Sequence, residues 1–285
     1  MNRSEFRFFD TLRVRWAEVD MQKIVFNGHY LMYADTAVAA YWRAMAMPYH
    51  ETMEQLGGDL YVRKATLEYE GSARYDERIE VGIRTGRIGN SSMALAVGIF
   101  RGDRVLVHGE LLYVFADPAT QTSRPVPAPL RAALTAFEAG EPMVAVQVGA
   151  WSEQQGAATA LRHAVFAQEQ GIPAELMTDA EDPGAVHALA LNRFGLPVAS
   201  GRLLQPEPGV GQIGRMATHG GVRSAGIGRQ VLDALLAASR RRGDREVLLH
   251  AQTSAVPFYR RAAFETEGPV YEEAGVSHQT MRRRW

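Results

Sequence analysis

Residues 14–34 read VRWAEVDMQKIVFNGHYLMYA. Two periodicities meet in this stretch. Leu12, Val14 and Trp16 alternate with Arg13 and Arg15, the repeat of a strand with one buried face. From about His29 the repeat changes. Tyr30, Leu31, Ala34, Val38, Tyr41, Trp42 and Met45 form one broad apolar stripe at helical spacing. The spacing predicts a helix over 29–47, stopped by Pro48. Asp20 lies between strand and helix, within reach of the helix start near Asn27 and Gly28. On its own such a carboxylate reads as a helix cap, and Asn27 is also a good capping residue.

Outward from this stretch, four further strand patterns follow. Tyr61, Ala65, Leu67 and Tyr69 share one face, and Ile79, Val81 and Ile83 another. Met93, Leu95, Val97 and Ile99 alternate with smaller residues. Val105, Val107, Leu111, Tyr113 and Phe115 follow the turn Arg101-Gly102-Asp103. One long helix and about five antiparallel strands predict an α+β unit, a curved sheet around a central helix. Residues 117–142 are rich in proline and alanine. The expected division is 1–138, a linker at 139–146, and a second domain at 147–285.

The second half alternates differently. It predicts a helix over 157–170, strands over 187–192, 198–204, 212–218 and 247–250, a helix over 226–242, a short helix over 256–262 and extended segments to the end. Residues 212–228 read QIGRMATHGGVRSAGIG, a glycine-rich loop that leaves a strand and opens an amphipathic helix. Gly226 and Gly228 let loop amides converge on an anion, and the helix start adds favourable potential.

Composition sets limits. The 285 residues suggest about two domains, and with 46% hydrophobic residues each can bury a core. Residues 1–140 carry 16 basic and 17 acidic groups, and the remainder 15 of each. Neither half has the basic excess that binding a phosphate backbone needs, so no nucleic acid partner is expected. There is no cysteine. No histidines stand at metal-ligand spacing, so no metal is expected. The start does not read as a signal peptide and no run approaches a membrane span, so a cytoplasmic chain with no membrane partner is expected.

The 14–34 stretch, with the Arg74-Tyr75-Asp76-Glu77 region, resembles the hot-dog acyl-CoA thioesterases of the 4-hydroxybenzoyl-CoA thioesterase type, over most of residues 8–135. The resemblance implies that Asp20 attacks the thioester or activates water, either of which needs an ionised carboxylate. Unpaired N–H groups at Asn27 and Gly28 would then stabilise the oxyanion. Several relatives have histidine where Asn27 stands, and many have Gly-His where Lys23-Ile24 stand. A single hot-dog copy implies a homo-oligomer, a dimer or tetramer, formed through these domains.

Arg223-Ser224-Ala225-Gly226-Ile227-Gly228 resembles the R/Q-x-x-G-x-G/A loop of GNAT N-acetyltransferases. FAQEQGIP at 166–173, His250-Ala251-Gln252, Phe258-Tyr259 and VYEEAGVSH at 270–278 are similar to the ElaA-like subgroup. The resemblance implies a mixed, mostly antiparallel sheet with flanking helices over 148–283. It also implies a coenzyme A pyrophosphate on residues 223–228 and pantetheine along Met216, Ala217 and Thr218. Tyr259 becomes either a general acid for the leaving thiolate or a packing residue against coenzyme A. Glu169, His250 and His278 remain as base candidates, beside a water relay. Ala263 stands where many relatives have glycine.

Together these readings predict a bifunctional enzyme, an acyl-CoA thioester hydrolase and an acetyl-CoA-dependent N-acetyltransferase acting on an amine. Coenzyme A thioesters are substrates, and no tightly bound cofactor is expected. In the alternative, one domain is active and the other is a coenzyme A-binding or oligomerising regulatory module.

Overall fold

The structure is a computed structural model that describes residues 1–273 and 275–285. Ala274, inside the VYEEAGVSH stretch, lies outside the described residues. The chain divides into two compact units, Met1–Met143 and Val144–Trp285.

The first unit contains strands β1 (Phe8–Arg13), β2 (Asp59–Tyr69), β3 (Arg78–Ile88), β4 (Ser92–Arg101) and β5 (Arg104–Ala116). They form one antiparallel sheet in the order β1-β3-β4-β5-β2. Helix α1 (Asn27–Ala44) packs against β1 and β3 through Tyr30, Tyr33, Ala34, Ala37, Val38, Tyr41 and Trp42. These positions follow the three-and-four spacing of a single helix face. They meet Ile79, Val81 and Ile83 of β3, all fully buried. Helix α2 (Tyr49–Leu56) follows Pro48, and α3 (Ala128–Ala139) covers β3. Glu138 of α3 accepts from Tyr41 Oη at 2.6 Å and from the Thr85 N–H at 2.7 Å.

Two local expectations fail here for identifiable reasons. The first strand ends at Arg13, and Trp16–Glu18 is a turn of 3-10 helix with Trp16 74% exposed. The Arg15 N–H donates to Glu18 at 2.7 Å and takes the chain out of the sheet. Helix α1 also ends before Met47. Met45, Ala46 and Met47 are buried in a turn in which Ala46 adopts a φ of 55°. They continue the apolar pattern without continuing the helix.

The second unit has strands β6 (Val144–Ala150), β7 (Val186–Asn192), β8 (Pro197–Glu207), β9 (Val210–Thr218), β10 (Glu246–Gln252), β11 (Glu265–Glu273) and β12 (Val276–Arg284). Their order is β11-β12-β10-β9-β8-β7-β6. Strands β9 and β10 run parallel, and the other neighbours run antiparallel. Helices α4 (Trp151–Arg162), α5 (Ile227–Arg242) and α6 (Val256–Arg260) complete it. Helix α4 begins earlier than the apolar spacing predicted. Its polar first turns are accommodated because Gln154 is buried and donates to the Gln147 carbonyl at 3.2 Å. Beyond Arg162 the helix continues as a π-helical segment, His163–Glu169. There Phe166 packs against Leu161, Val165 and Ala217.

A charge cluster sits inside this unit. Arg162, fully buried, lies 3.0 Å from Asp182, whose side chain is 1% exposed. Arg202 bonds Asp182 at 2.9 Å and Asp179 at 2.5 Å, and Arg215 bonds Asp179 at 2.8 Å. His187 donates from Nε2 to the Asp182 carbonyl at 2.9 Å, and Arg162 lies over the Trp151 ring. Burial opposes ionisation of Asp182, yet Arg162, the Asp179 N–H and Arg202 hold its carboxyl below the usual range. Asp179 is likewise held well below it, against burial, by Arg202 and Arg215.

Removing one partner leaves buried charge uncompensated, which costs about 3–5 kcal/mol. Asp182→Asn is therefore expected to lower the stability of the second unit by that amount in urea unfolding. An unchanged midpoint would contradict this. Both aspartates ionise more readily folded than unfolded. Their contribution is present above the unfolded carboxylate pKa of about 3.9 and is lost as pH falls below it. Wild-type Tm should fall on acidification below about pH 4, and less steeply in Asp182→Asn.

Candidate active sites

Residues 18–26 close on themselves. The Phe26 N–H donates to the Glu18 carbonyl at 2.9 Å, Val19 bridges Val25, and the Asp20 N–H donates to the Ile24 carbonyl at 2.9 Å. Asp20 thus sits near the tip of a tight loop, and α1 starts at its base. Lys23 adopts a φ of 62° there, a conformation that suits glycine and costs a lysine about 1–2 kcal/mol. Oδ1 of Asp20 accepts from the Gln22 N–H at 2.8 Å. Oδ2 accepts no bond among the described residues and is available to a substrate or a water.

Neither Asp20 nor Asn27 caps the helix. Phe26 is the N-cap residue, and no side chain bonds the helix start. The N–H groups of Asn27 and Gly28 have no acceptor among the described residues, and both residues are exposed. The Phe26 ring lies over Gly28, so that an added Cβ would meet it at 3.0 Å. Tyr69 of β2 donates to the Asn27 carbonyl at 3.2 Å.

Beneath this helix start lies Glu18, a residue the sequence reading passed over. It is 3% exposed. It accepts from Tyr33 Oη at 2.6 Å, from the Arg15 N–H at 2.7 Å and from Arg15 Nε at 2.6 Å. Burial opposes its charge, but these bonds hold its carboxyl below the usual range. Tyr33 is driven the other way, first by burial and then by Glu18. The signal was present: Arg15 and Glu18 stand three apart, the spacing of a reciprocal cap on the turn Trp16–Glu18.

In the second unit the parallel ladder of β9 and β10 runs from Val210 and Glu246 to Ile213 and Leu249 and then stops. Both strands continue, β9 to Thr218 and β10 to Gln252, without a rung between them. Met216, Ala217 and Thr218 line this gap on a strand that stays paired with β8 on its other side. Past Thr218 the chain turns through the 3-10 segment Gly220–Val222 into α5. The N–H groups of Ser224, Gly226, Ile227 and Gly228 find no acceptor among the described residues, whereas that of Ala225 reaches the Val222 carbonyl at 3.4 Å. Gly226, the N-cap, has a φ of 78°, a conformation that a side chain would strain. A Cβ on Gly228 would meet Thr218 Oγ1 at 2.9 Å, so the helix start sits directly against the end of β9.

The Arg223 guanidinium forks onto Glu169, with Nη2 donating at 2.6 Å, and its Nε donates to the Thr218 carbonyl at 3.1 Å. The fork holds Glu169 below the usual carboxylate range, which makes it a weak base at neutral pH. Tyr259 is nearly buried between Phe258 and Phe264. Its hydroxyl bonds no described residue, and burial pushes it up to about 12. It stays protonated at neutral pH and is a donor.

The description "Thioesterase superfamily" matches residues 22–108, and "Acetyltransferase (GNAT) domain" matches residues 152–285. The uncharacterized N-acetyltransferase YjcF of Bacillus subtilis is 32% identical over 132 residues, 46% of this chain and 93% of that protein. The C-terminal half belongs to the GNAT acetyltransferase family, and residues 22–108 match the thioesterase-superfamily model. The structure of Escherichia coli ElaA is 29% identical, spanning 50% of this chain and all of that one, with a TM-score of 0.46. That of Slr0204, a 1,4-dihydroxy-2-naphthoyl-CoA thioesterase from Synechocystis, is 15% identical, spanning 45% of this chain and 95% of that one, with a TM-score of 0.42.

In the GNAT domain, sequence reasoning gave no role to Tyr271, although it lies in the quoted VYEEAGVSH stretch. It also missed the Arg162–Asp182–Arg202 cluster. The signal there was Arg202, a charge inside the otherwise apolar run of β8. In the first unit, Tyr33→Phe leaves the Glu18 carboxylate one donor short. Hydrogen bonds to charged groups contribute about 1.5–3 kcal/mol, so urea unfolding should show a loss of that size. An unchanged stability would mean that the contact holds nothing.

Proposed function

We propose that the chain hydrolyses an acyl-CoA in its thioesterase domain and transfers an acetyl group from acetyl-CoA to an amine in its GNAT domain. The observation that carries both readings is the pair of helix starts, at α1 and at α5, whose N–H groups have no acceptor among the described residues.

In the first site the thioester carbonyl lies against the N–H groups of Asn27 and Gly28. Asp20, through Oδ2, attacks the carbonyl carbon or takes a proton from the attacking water. The helix start stabilises the oxyanion in either case. With asparagine at 27 the carboxylate works with backbone donors and not with a second acid. In the second site the pyrophosphate lies on the free amides of Ser224, Gly226, Ile227 and Gly228 at the start of α5. Arg223, whose N–H reaches the Gly220 carbonyl at 3.3 Å, fastens the loop to Glu169 and does not itself contact the pyrophosphate. The pantetheine arm pairs with Met216, Ala217 and Thr218 along the gap. Tyr259 donates a hydrogen bond to the departing thiolate. A phenol pushed up to about 12 holds that thiolate by hydrogen bonding better than by full proton transfer.

Acyl-CoA and an amine acceptor are the partners in this reading, which takes the enzyme as cytoplasmic. We also propose a homo-oligomer through the thioesterase domain. Its support is β2, an edge strand of the sheet whose Val62 and Tyr69 are about half exposed.

Steady-state hydrolysis of an acyl-CoA panel tests the first site. Asp20→Asn should lower kcat by about 10²–10⁴-fold with stability unchanged. Hydrolysis at the wild-type rate would remove Asp20 from the mechanism. For the second site, Gly226→Glu puts a strained, charged side chain on the loop. The thermal shift produced by acetyl-CoA on the wild type should disappear, and a retained shift would rule out the loop assignment.

A further inference from the structure

The parallel ladder stops at Ile213 and Leu249, and the next residues are Gly214 on β9 and His250 on β10. A Cβ built on Gly214 would meet nothing within 4 Å, so there is open space at the mouth of the gap. His250 is exposed. Its Nδ1 lies 2.6 Å from Tyr271 Oη and 3.3 Å from Thr280 Oγ1. The ring is therefore held from one side by β11 and β12, and Nε2 bonds no described residue.

Groups from every neighbouring element surround it. His278 of β12 pairs in register with Gln252 and with Tyr271, and its ring stacks on the tyrosine. Its own Nδ1 is engaged by the Val276 carbonyl at 2.8 Å. Gln252 donates to Gln170, just after the π-helical segment, at 3.0 Å. Among the charged groups on these strands, Glu267 lies opposite Thr280 in the ladder, Arg282 binds both Glu267 at 2.6 Å and Glu246 at 2.5 Å, and Arg215, next to Gly214 on β9, binds Asp179 at 2.8 Å. Those charges are paired with one another.

We infer that His250 is the general base of acetyl transfer, taking the proton from a primary ammonium acceptor seated beside Gly214, and that Tyr271 positions its ring. The inference rests on the acetyl-transfer reading of this domain. Strand β9 offers no carboxylate for the task, and Glu169 is tied to Arg223. When Nδ1–H donates to Tyr271 Oη, Nε2 carries the lone pair, since the bond at one ring nitrogen fixes the state of the other. The ammonium gives one proton to Nε2, and the free amine attacks the acetyl carbonyl. The C–N bond forms, the C–S bond breaks, and the second amine proton goes to the thiolate sulfur. His250 then returns its proton to solvent, so the reaction yields amide, coenzyme A and one proton.

The test uses the full chain with acetyl-CoA and a panel of primary amines. His250→Gln should lower kcat/KM about 10²–10⁴-fold at neutral pH, with acetyl-CoA affinity unchanged. Its rate should climb towards wild type at high pH, where the amine deprotonates without help. Tyr271→Phe should give a smaller loss and displace the acid limb of the pH profile. Gly214→Phe should raise KM for the amine and not for acetyl-CoA. A His250→Gln enzyme with the wild-type rate and profile overturns the inference. If the wild type acetylates no amine, the underlying reading fails instead. Nitrogen-15 spectra of the histidines test the ring assignment separately from turnover. A neutral His250 protonated on Nδ1 supports the assignment, and one protonated on Nε2 overturns it.

Discussion

The first N–H groups of a helix have no carbonyl to reach, and a protein must cap them, wet them or offer them to a ligand. This chain leaves two such sets uncovered. At α1 the N-cap is a phenylalanine that makes no side-chain bond. At α5 it is a glycine in the left-handed conformation. Each start is fixed from behind and open in front. Glu18, with Tyr33 and Arg15, anchors the chain entering α1. Gly228 against Thr218, and Arg223 on Glu169, anchor the loop entering α5. An anion or a developing oxyanion placed there would meet donors already held in position, the arrangement that makes such sites effective.

The two units reach this result by different means. In the first, an antiparallel sheet buries the apolar stripe of one long helix, and the loop before that helix carries the carboxylate. In the second, a single parallel pair interrupts an otherwise antiparallel sheet, and the pair separates after four rungs. That separation exposes the edge of β9 in the middle of a sheet, where an extended ligand arm can pair with it. The cluster of buried Arg162, Asp182 and Arg202 continues through the half-buried Asp179 to Arg215, which sits in the separating part of β9 with a φ of 51°. The charges that stabilise the fold also fix the backbone beside the gap.

Much of this was legible from residue order alone. The α1 stripe, the strand alternations and the glycine loop depend on local periodicity, which a sequence displays directly. What escaped depends on contacts between distant elements. Glu18 looks like a surface acid until Tyr33, fifteen residues on, turns inward over it. The π-helical segment leaves no mark in the apolar spacing, because one extra residue per turn only shifts the phase. His250 and Tyr271 are 21 residues apart and meet only through the register of β10, β12 and β11. Lys23 and Ala46 occupy left-handed conformations that their side chains do not advertise.

The account stands on two separate coenzyme A sites in one polypeptide. Isothermal titration of the intact chain with a non-hydrolysable thioether analogue of acetyl-CoA counts them directly. The account predicts about two equivalents per chain with distinguishable affinities. Saturation at one equivalent, or at none, would contradict it.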